Sequence, residues 1–185
     1  SAPEATYAAM TQSIAAFEKT EAFAPFSSKS DRYLRGEATL TDEEELGRVL
    51  FFSQQFTNCN QCHQLARGPM DPKETFSNYE YHNIGVPANP DILRIHGADH
   101  VDRGRLNNPA VEDPGEAGKF KVPTLRNVAV TGPYMHNGVF RSLETVIKFY
   151  DHFLTGSDFS TNPETGDAWR DPEIPDTVAL DELED

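Results

Sequence analysis

Apolar residues recur along residues 5–21 at spacings of three and four: Tyr7, Met10, Ile14 and Phe17. That is the period of one helix face, and the alanines between them favour the same conformation. The stripe predicts a helix whose apolar edge, Met10 included, packs into a core. Over residues 23–40 the pattern breaks: Phe23-Ala24-Pro25-Phe26, several serines and Gly36 read as a connector. Thr41 followed by Asp42, Glu43 and Glu44 makes a capping box ahead of Leu46, Val49 and Leu50. A second helix begins there, with acidic residues at its positive end. From 66 to 122 there is little periodicity and much Gly, Pro, Asn and Asp. An irregular stretch of that length signals function or an organising cofactor. Order resumes over residues 120–127 and 131–138. Ser142 then caps a final helix with the stripe Leu143, Val146, Ile147, Tyr150 and Leu154. Beyond Gly156 the chain is polar and Pro-rich, with a weak helical run over 176–185. No repeat and no strand pattern stands out. The pattern predicts a mostly α fold with long irregular loops: an N-terminal helix and connector (1–40), a central domain (41–155), and a tail with the start of a closing helix (156–185).

The chemistry enters with the cysteines. The chain has only two, and both lie in Cys59-Asn60-Gln61-Cys62-His63. C-x-x-C-H is the attachment sequence of a c-type haem, with two thioethers and an adjacent histidine for the iron. A zinc site needs further ligands at matching spacing, and a redox C-x-x-C wants a βαβ setting. Neither is present in the pattern. His63 is therefore expected as proximal ligand at the start of a short helical turn, with Phe51, Phe52 and Phe56 packing near the porphyrin. The iron's other face decides function. Methionine raises the potential for electron transfer, tyrosinate stabilises oxidised iron, and a vacancy admits peroxide. Met10, Met70, Met135, Tyr150 and several histidines are candidates by residue type. Spacing favours Met135, in a Gly/Pro-framed loop well downstream, whereas Tyr150 on the apolar face of its helix reads equally as core. His82, His96, His100 and His152 read as ordinary side chains, His152 as solvated.

Charge narrows the partners. Asp and Glu outnumber Lys and Arg by 30 to 16, for a net charge of −14 at pH 7. Nucleic acid and anionic membrane surfaces both call for clustered positive charge, so neither is expected as a partner. No run approaches the ~20 apolar residues of a membrane span. Haem attachment to this motif normally follows export, which places the protein in a periplasm or equivalent space.

The chain resembles the C-terminal haem domain of bacterial dihaem cytochrome c peroxidases and their MauG-type relatives. The resemblance is carried by C-N-Q-C-H at 59–63 and by F-K-V-P-T-L-R-N-V-A-V-T-G-P-Y-M-H-N-G at 120–138. A-A-F-E-K-T at 15–20, D-R-Y-L-R-G at 31–36, H-N-I-G-V-P within 76–87 and L-E-T-V-I-K-F-Y at 143–150 support it. It implies a cytochrome c-like haem domain. In that family the axial residue lies fourteen positions beyond the histidine of the second run, and counting from His136 reaches Tyr150. The resemblance therefore moves the sixth ligand from Met135 to Tyr150, which is the choice of the tyrosine-ligated, MauG-type branch. It also implies a calcium ion on the carbonyls of Thr131 and Pro133, oxygen donors that calcium accepts. His136 matches a family histidine near the haem, with a proton-handling or a structural role. Arg126 suits a haem propionate. No counterpart of the family's peroxide-binding haem domain is recognisable, so a second haem domain or chain is expected as partner. A small electron-donor protein or a protein substrate is expected beside it. The activity implied is a peroxidase or MauG-type oxidoreductase using hydrogen peroxide; a monohaem electron-transfer cytochrome is the alternative.

Overall fold

The computed structural model describes residues 2–65, 68–70, 73–155 and 159–179. The chain divides into two compact units: residues 1–49 with 66–74, and residues 50–65 with 75–185. The division falls inside a helix.

In the first unit, helix α1 (Ala2–Glu18) forms where the 3–4 spacing predicts it. Its stripe is not core, however. Tyr7, Met10, Ile14 and Phe17 are between 50 and 66 % exposed, and the Phe17 ring meets that of Phe23 edge to face at 4.9 Å. Periodicity reports which face is apolar, not what covers it. The expected connector contains α2 (Lys29–Leu34), opened by a complete capping box between Ser28 and the buried Asp31. Helix α3 (Asp42–Phe51) starts as predicted: the Thr41 amide donates to Glu44 Oε2 at 2.8 Å, and Thr41 Oγ1 accepts from the Glu44 amide.

The second unit carries the haem-type motif on α4 (Cys59–Cys62), a single turn. His63 is the residue that ends this turn rather than one that starts it, its amide donating to the Cys59 carbonyl at 3.0 Å. The stretch expected to be structureless holds more order than its composition suggests. Strand β1 (Tyr81–His82) pairs antiparallel with β2 (Phe120–Lys121), and α5 (Pro90–His96) follows with Asn89 as its cap. Two residues per strand are too few for an alternating pattern to show. Gly104 and Gly118 sit at positive φ, and a Cβ on either would lie under 3.0 Å from Lys119 O or Asn83 Nδ2. Only glycine fits there.

Helix α6 (Leu143–Thr155) closes the unit. Ser142 caps it as predicted, Oγ accepting from the Thr145 amide at 3.1 Å. Its buried face is rotated from the predicted stripe: Phe149 and Thr145 are 1 % exposed, whereas Ile147 is 63 % exposed. The side chain of Leu154 lies outside the described residues. Phe149 and Phe140 meet at 5.2 Å and with Val86 form the core cluster, flanked by Val146, Tyr150, Met135 and Trp169. The tail is part of this packing. Trp169 approaches Phe140 and Phe149 edge-on at 5.7 Å each, and buried Asn83 donates to Ile174 O and Thr177 Oγ1. A 3-10 turn forms at Pro175–Thr177, and the rest of the expected helical run over 176–185 lies, from residue 180 on, outside the described residues.

Candidate functional site

Local geometry presents residues 59–63 from a tightly braced turn. Asn58 adopts a left-handed conformation before α4, and Thr57 Oγ1 donates to the Leu50 carbonyl. Downstream, the Asn78 amide donates to Cys62 O at 2.8 Å and its side chain to Gln61 O at 3.2 Å. His63 is half-buried, and its Nδ1 bonds the Phe76 carbonyl at 3.0 Å. Facing a carbonyl, Nδ1 carries the proton and Nε2 is left as the ligand nitrogen, the way a metal-binding histidine is usually oriented by its other ring nitrogen. Burial lowers the imidazole's pKa, against the pull of the Phe76 and Pro123 carbonyls. The ring is therefore neutral, as ligation needs.

Aromatic rings line the same region. Phe51 lies edge-on to Phe52 at 5.0 Å and to Phe76 at 6.0 Å. Phe56, the third phenylalanine expected near the porphyrin, is 70 % exposed in the protein alone. Arg126 is half-buried with its guanidinium 5.4 Å from the Phe76 ring centre. Its backbone is fixed through Thr124, which accepts from the Arg126 amide and donates to Thr75 O at 2.6 Å. Through Phe76, then, Arg126 and His63 share one neighbourhood.

Tyr150 projects from the middle of α6 into the same chemistry. Burial pushes its phenol well above the usual tyrosine range, and the Cys62 and Cys59 sulfurs push in the same direction. Both sulfurs are thus within electrostatic range of the phenol. Met135, the competing ligand, has a left-handed backbone (φ 68°) and packs against Val86, Phe140 and Phe149. Met10 and Met70 are each more than half exposed.

Thr131 and Pro133 are exposed on a loop with a cis Gly132–Pro133 bond, closed by a Tyr134–Phe140 bridge. Among the described residues no three His, Cys, Asp or Glu side chains converge on a metal position; a carbonyl site of the calcium kind uses none of them. His136 stacks on Phe120 with ring centres 3.5 Å apart, and its Nε2 is 3.7 Å from Glu173 Oε2. The His136 side chain is only 14 % exposed, although its main chain keeps the residue at the surface. Burial lowers the imidazole's pKa, opposed by the negative charges of Asp102 and Glu173. Glu173 Oε1 in turn accepts from the Asp102 amide at 3.0 Å. His152, expected to be solvated, is half-buried against Trp169 and Phe153. His96 and His100 stack on each other at 4.9 Å.

Phe76, Phe120 and Glu173 were not foreseen as site residues. Phe76 and Phe120 lie within the motif runs, but nothing local marks Glu173.

The residues present fit a covalent haem. Two thiols with no disulfide between them, a neutral histidine with Nε2 available and a buried phenol are gathered within one region. Buried apolar side chains are few among the described residues (Val86, Ala117, Val122, Phe140 and Phe149), and large ones such as Phe56 and Leu65 stay exposed, which leaves apolar surface for a porphyrin to cover. Fold and site together define a mostly helical haem c domain.

Comparison with known proteins specifies the family. No protein-family model matches the chain. It is 46 % identical to the methylamine utilization protein MauG of Paracoccus denitrificans, over 98 % of this chain and 47 % of that protein. It is 32 % identical to the cytochrome-c peroxidase IdrP1 of Denitromonas iodatirespirans, over 77 % of this chain and 41 % of the relative. Among solved structures it resembles the dihaem peroxidase BthA of Burkholderia thailandensis, with a TM-score of 0.69 and 30 % identity over 87 % of this chain and 40 % of that one. The chain belongs to the MauG and dihaem cytochrome c peroxidase family. It spans less than half the length of each of these relatives.

Proposed function

We propose that this chain is the tyrosine-ligated haem domain of a periplasmic, MauG-type dihaem oxidoreductase. It uses oxidising equivalents from hydrogen peroxide and stores or relays them. The observation that carries this reading is a buried Tyr150 phenol within electrostatic range of Cys59 and Cys62, in the unit where His63 is oriented by the Phe76 carbonyl. When bound, the haem supplies one-electron redox chemistry that no side chain here provides.

The chain's own residues anchor, orient and tune. Cys59 and Cys62 hold the porphyrin edge through thioethers. His63 gives Nε2 to the iron, and its Nδ1–H bond to Phe76 sets the ring's tautomer and raises its basicity. Tyr150 would give its phenol oxygen to the same iron. Its phenol resists ionisation when only protein surrounds it, and a cation on the same spot reverses that preference. An anionic oxygen donor then favours the more highly charged state of the metal, which suits storage of oxidising equivalents rather than a high-potential relay. Arg126 pairs with a propionate from its place beside Phe76. His136, braced by Phe120 and Glu173, can take or give a proton at Nε2. The carbonyls of Thr131 and Pro133 offer oxygen to a calcium ion shared with a second haem domain or chain. A small electron-donor protein or a protein substrate completes the reaction.

The test is oxidation of a reduced small cytochrome by hydrogen peroxide with purified holoprotein. Tyr150→Phe lowers the rate at least about tenfold, the scale lost when even the outer partners of a metal ligand are removed. Met135→Leu leaves it within about twofold. The opposite ranking of the two variants returns the chain to the class of methionine-ligated electron carriers.

A further inference from the structure

Helix α6 has a second anchor that its own sequence does not reveal. Ser142 caps it locally: Oγ accepts the Thr145 amide at 3.1 Å and bonds Thr145 Oγ1 at 2.9 Å. A cap of that kind defines where a helix begins, not where the beginning lies in the molecule. Glu164, from the tail, does the latter. Its Oε1 accepts from the Arg141 amide at 2.8 Å and the Ser142 amide at 3.0 Å, and Oε2 lies 3.1 Å from the Arg141 amide. A carboxylate on main-chain donors at a helix start makes charge-assisted bonds and meets the positive end of the dipole.

The segment that presents Glu164 is itself fixed. The Asn162 amide donates to Asp167 O and its carbonyl accepts from Gly166, both at 2.8 Å. Asn162 Oδ1 accepts the Glu164 amide at 2.8 Å, and Thr161 bridges to Ala168. Trp169 follows at once, seated against Phe149 and Phe140, with His152 stacked at 6.0 Å and Nε1 donating to Phe159 O at 2.7 Å. Residues 159–169 thus grip α6 at its first turn and again at its middle. Tyr150 lies between those grips, roughly 10 Å along the axis from Leu143 at 1.5 Å per residue.

We infer that Glu164 is a positioning residue: by holding the start of α6 it sets the reach of Tyr150 toward the haem site. This rests on the reading of Tyr150 as axial ligand. Neither sliding nor rotation of α6 is possible without breaking the Glu164 bonds or unseating Trp169.

The experiment compares ferric holoprotein of the wild type with Glu164→Gln, Glu164→Ala, Tyr150→Phe and Glu116→Ala. The readouts are the iron–phenolate resonance Raman bands and the reduction potential. Tyr150→Phe abolishes the bands. Glu164→Ala loses most of their intensity and raises the potential. Glu164→Gln falls between, because its amide oxygen still accepts but carries no charge. Glu116→Ala, which removes ion pairs to Arg105 and Lys119 elsewhere in the unit, leaves both readouts unchanged. In the same holoproteins, amide exchange at Arg141 and Ser142 is faster in Glu164→Ala than in the wild type. Wild-type bands and potential in Glu164→Ala, an equal loss in Glu116→Ala, or unchanged exchange would each overturn the inference while the ligand reading stands. Absence of the bands from the wild type overturns the ligand reading and the inference with it.

Discussion

At the scale of single residues, the account rests on a handful of atoms with separable duties. Cys59→Ala and Cys62→Ala each leave one thioether, so the haem stays attached but more weakly; the double variant loses it to acidified organic solvent, as a mass spectrum of the chain shows directly. Tyr150 and Met135 separate through their surroundings. Both flank the Val86, Phe140 and Phe149 cluster, but it is the buried Tyr150 phenol on which the two cysteine sulfurs act. Cys59, Cys62 and His63 could be read from the chain because the attachment motif is contiguous and consumes every cysteine. Tyr150 could not be read from spacing, which preferred Met135; the choice needed the family pattern. Glu173 and Glu164 carried no local signal, since each acts on residues far away in sequence.

At the scale of elements, α6 is the part on which most depends. Phe149 is almost fully buried, and Phe149→Ala is expected to cost about 3–5 kcal/mol in a denaturant melt, the range for a large aromatic cut from a core. Ser142→Ala removes the local cap and costs about 1 kcal/mol. Glu164 adds a pH dependence. Burial pushes its carboxyl up, but bonds from Thr145, Arg141 and Ser142 and the Arg141 charge outweigh that and hold it below the usual range. A carboxyl whose folded pKa is depressed stabilises fully above its unfolded value, ~4.3, and the contribution is lost as pH falls through the lower folded value. The unfolding midpoint should therefore drop in acid below about pH 4 more steeply in the wild type than in Glu164→Gln. Both ends of α6 were approximately legible, its buried face less so. Thr145 and Phe149 share a face that hydrophobicity alone does not pick out, because threonine is polar and Ile147 is the more apolar neighbour.

At the scale of the whole molecule, the helices were legible and the covering of their faces was not. The α1 stripe and the α3 capping box follow from local pattern, yet the stripe is exposed here, because burial depends on what lies opposite. The two-residue strands and the tail's hold on Asn83 are long-range contacts without periodicity. Among the described residues no helix is long and apolar enough to cross a membrane. The proposed role of Tyr150, as a further iron ligand of a haem held by Cys59, Cys62 and His63, is what the molecule's function turns on. Absorption of the ferric holoprotein tests this most directly, with Tyr150→Phe and Met135→Leu side by side. The account predicts no methionine-to-iron charge-transfer band in the wild type and a changed spectrum only in Tyr150→Phe. A methionine band that survives Tyr150→Phe and vanishes in Met135→Leu would contradict it.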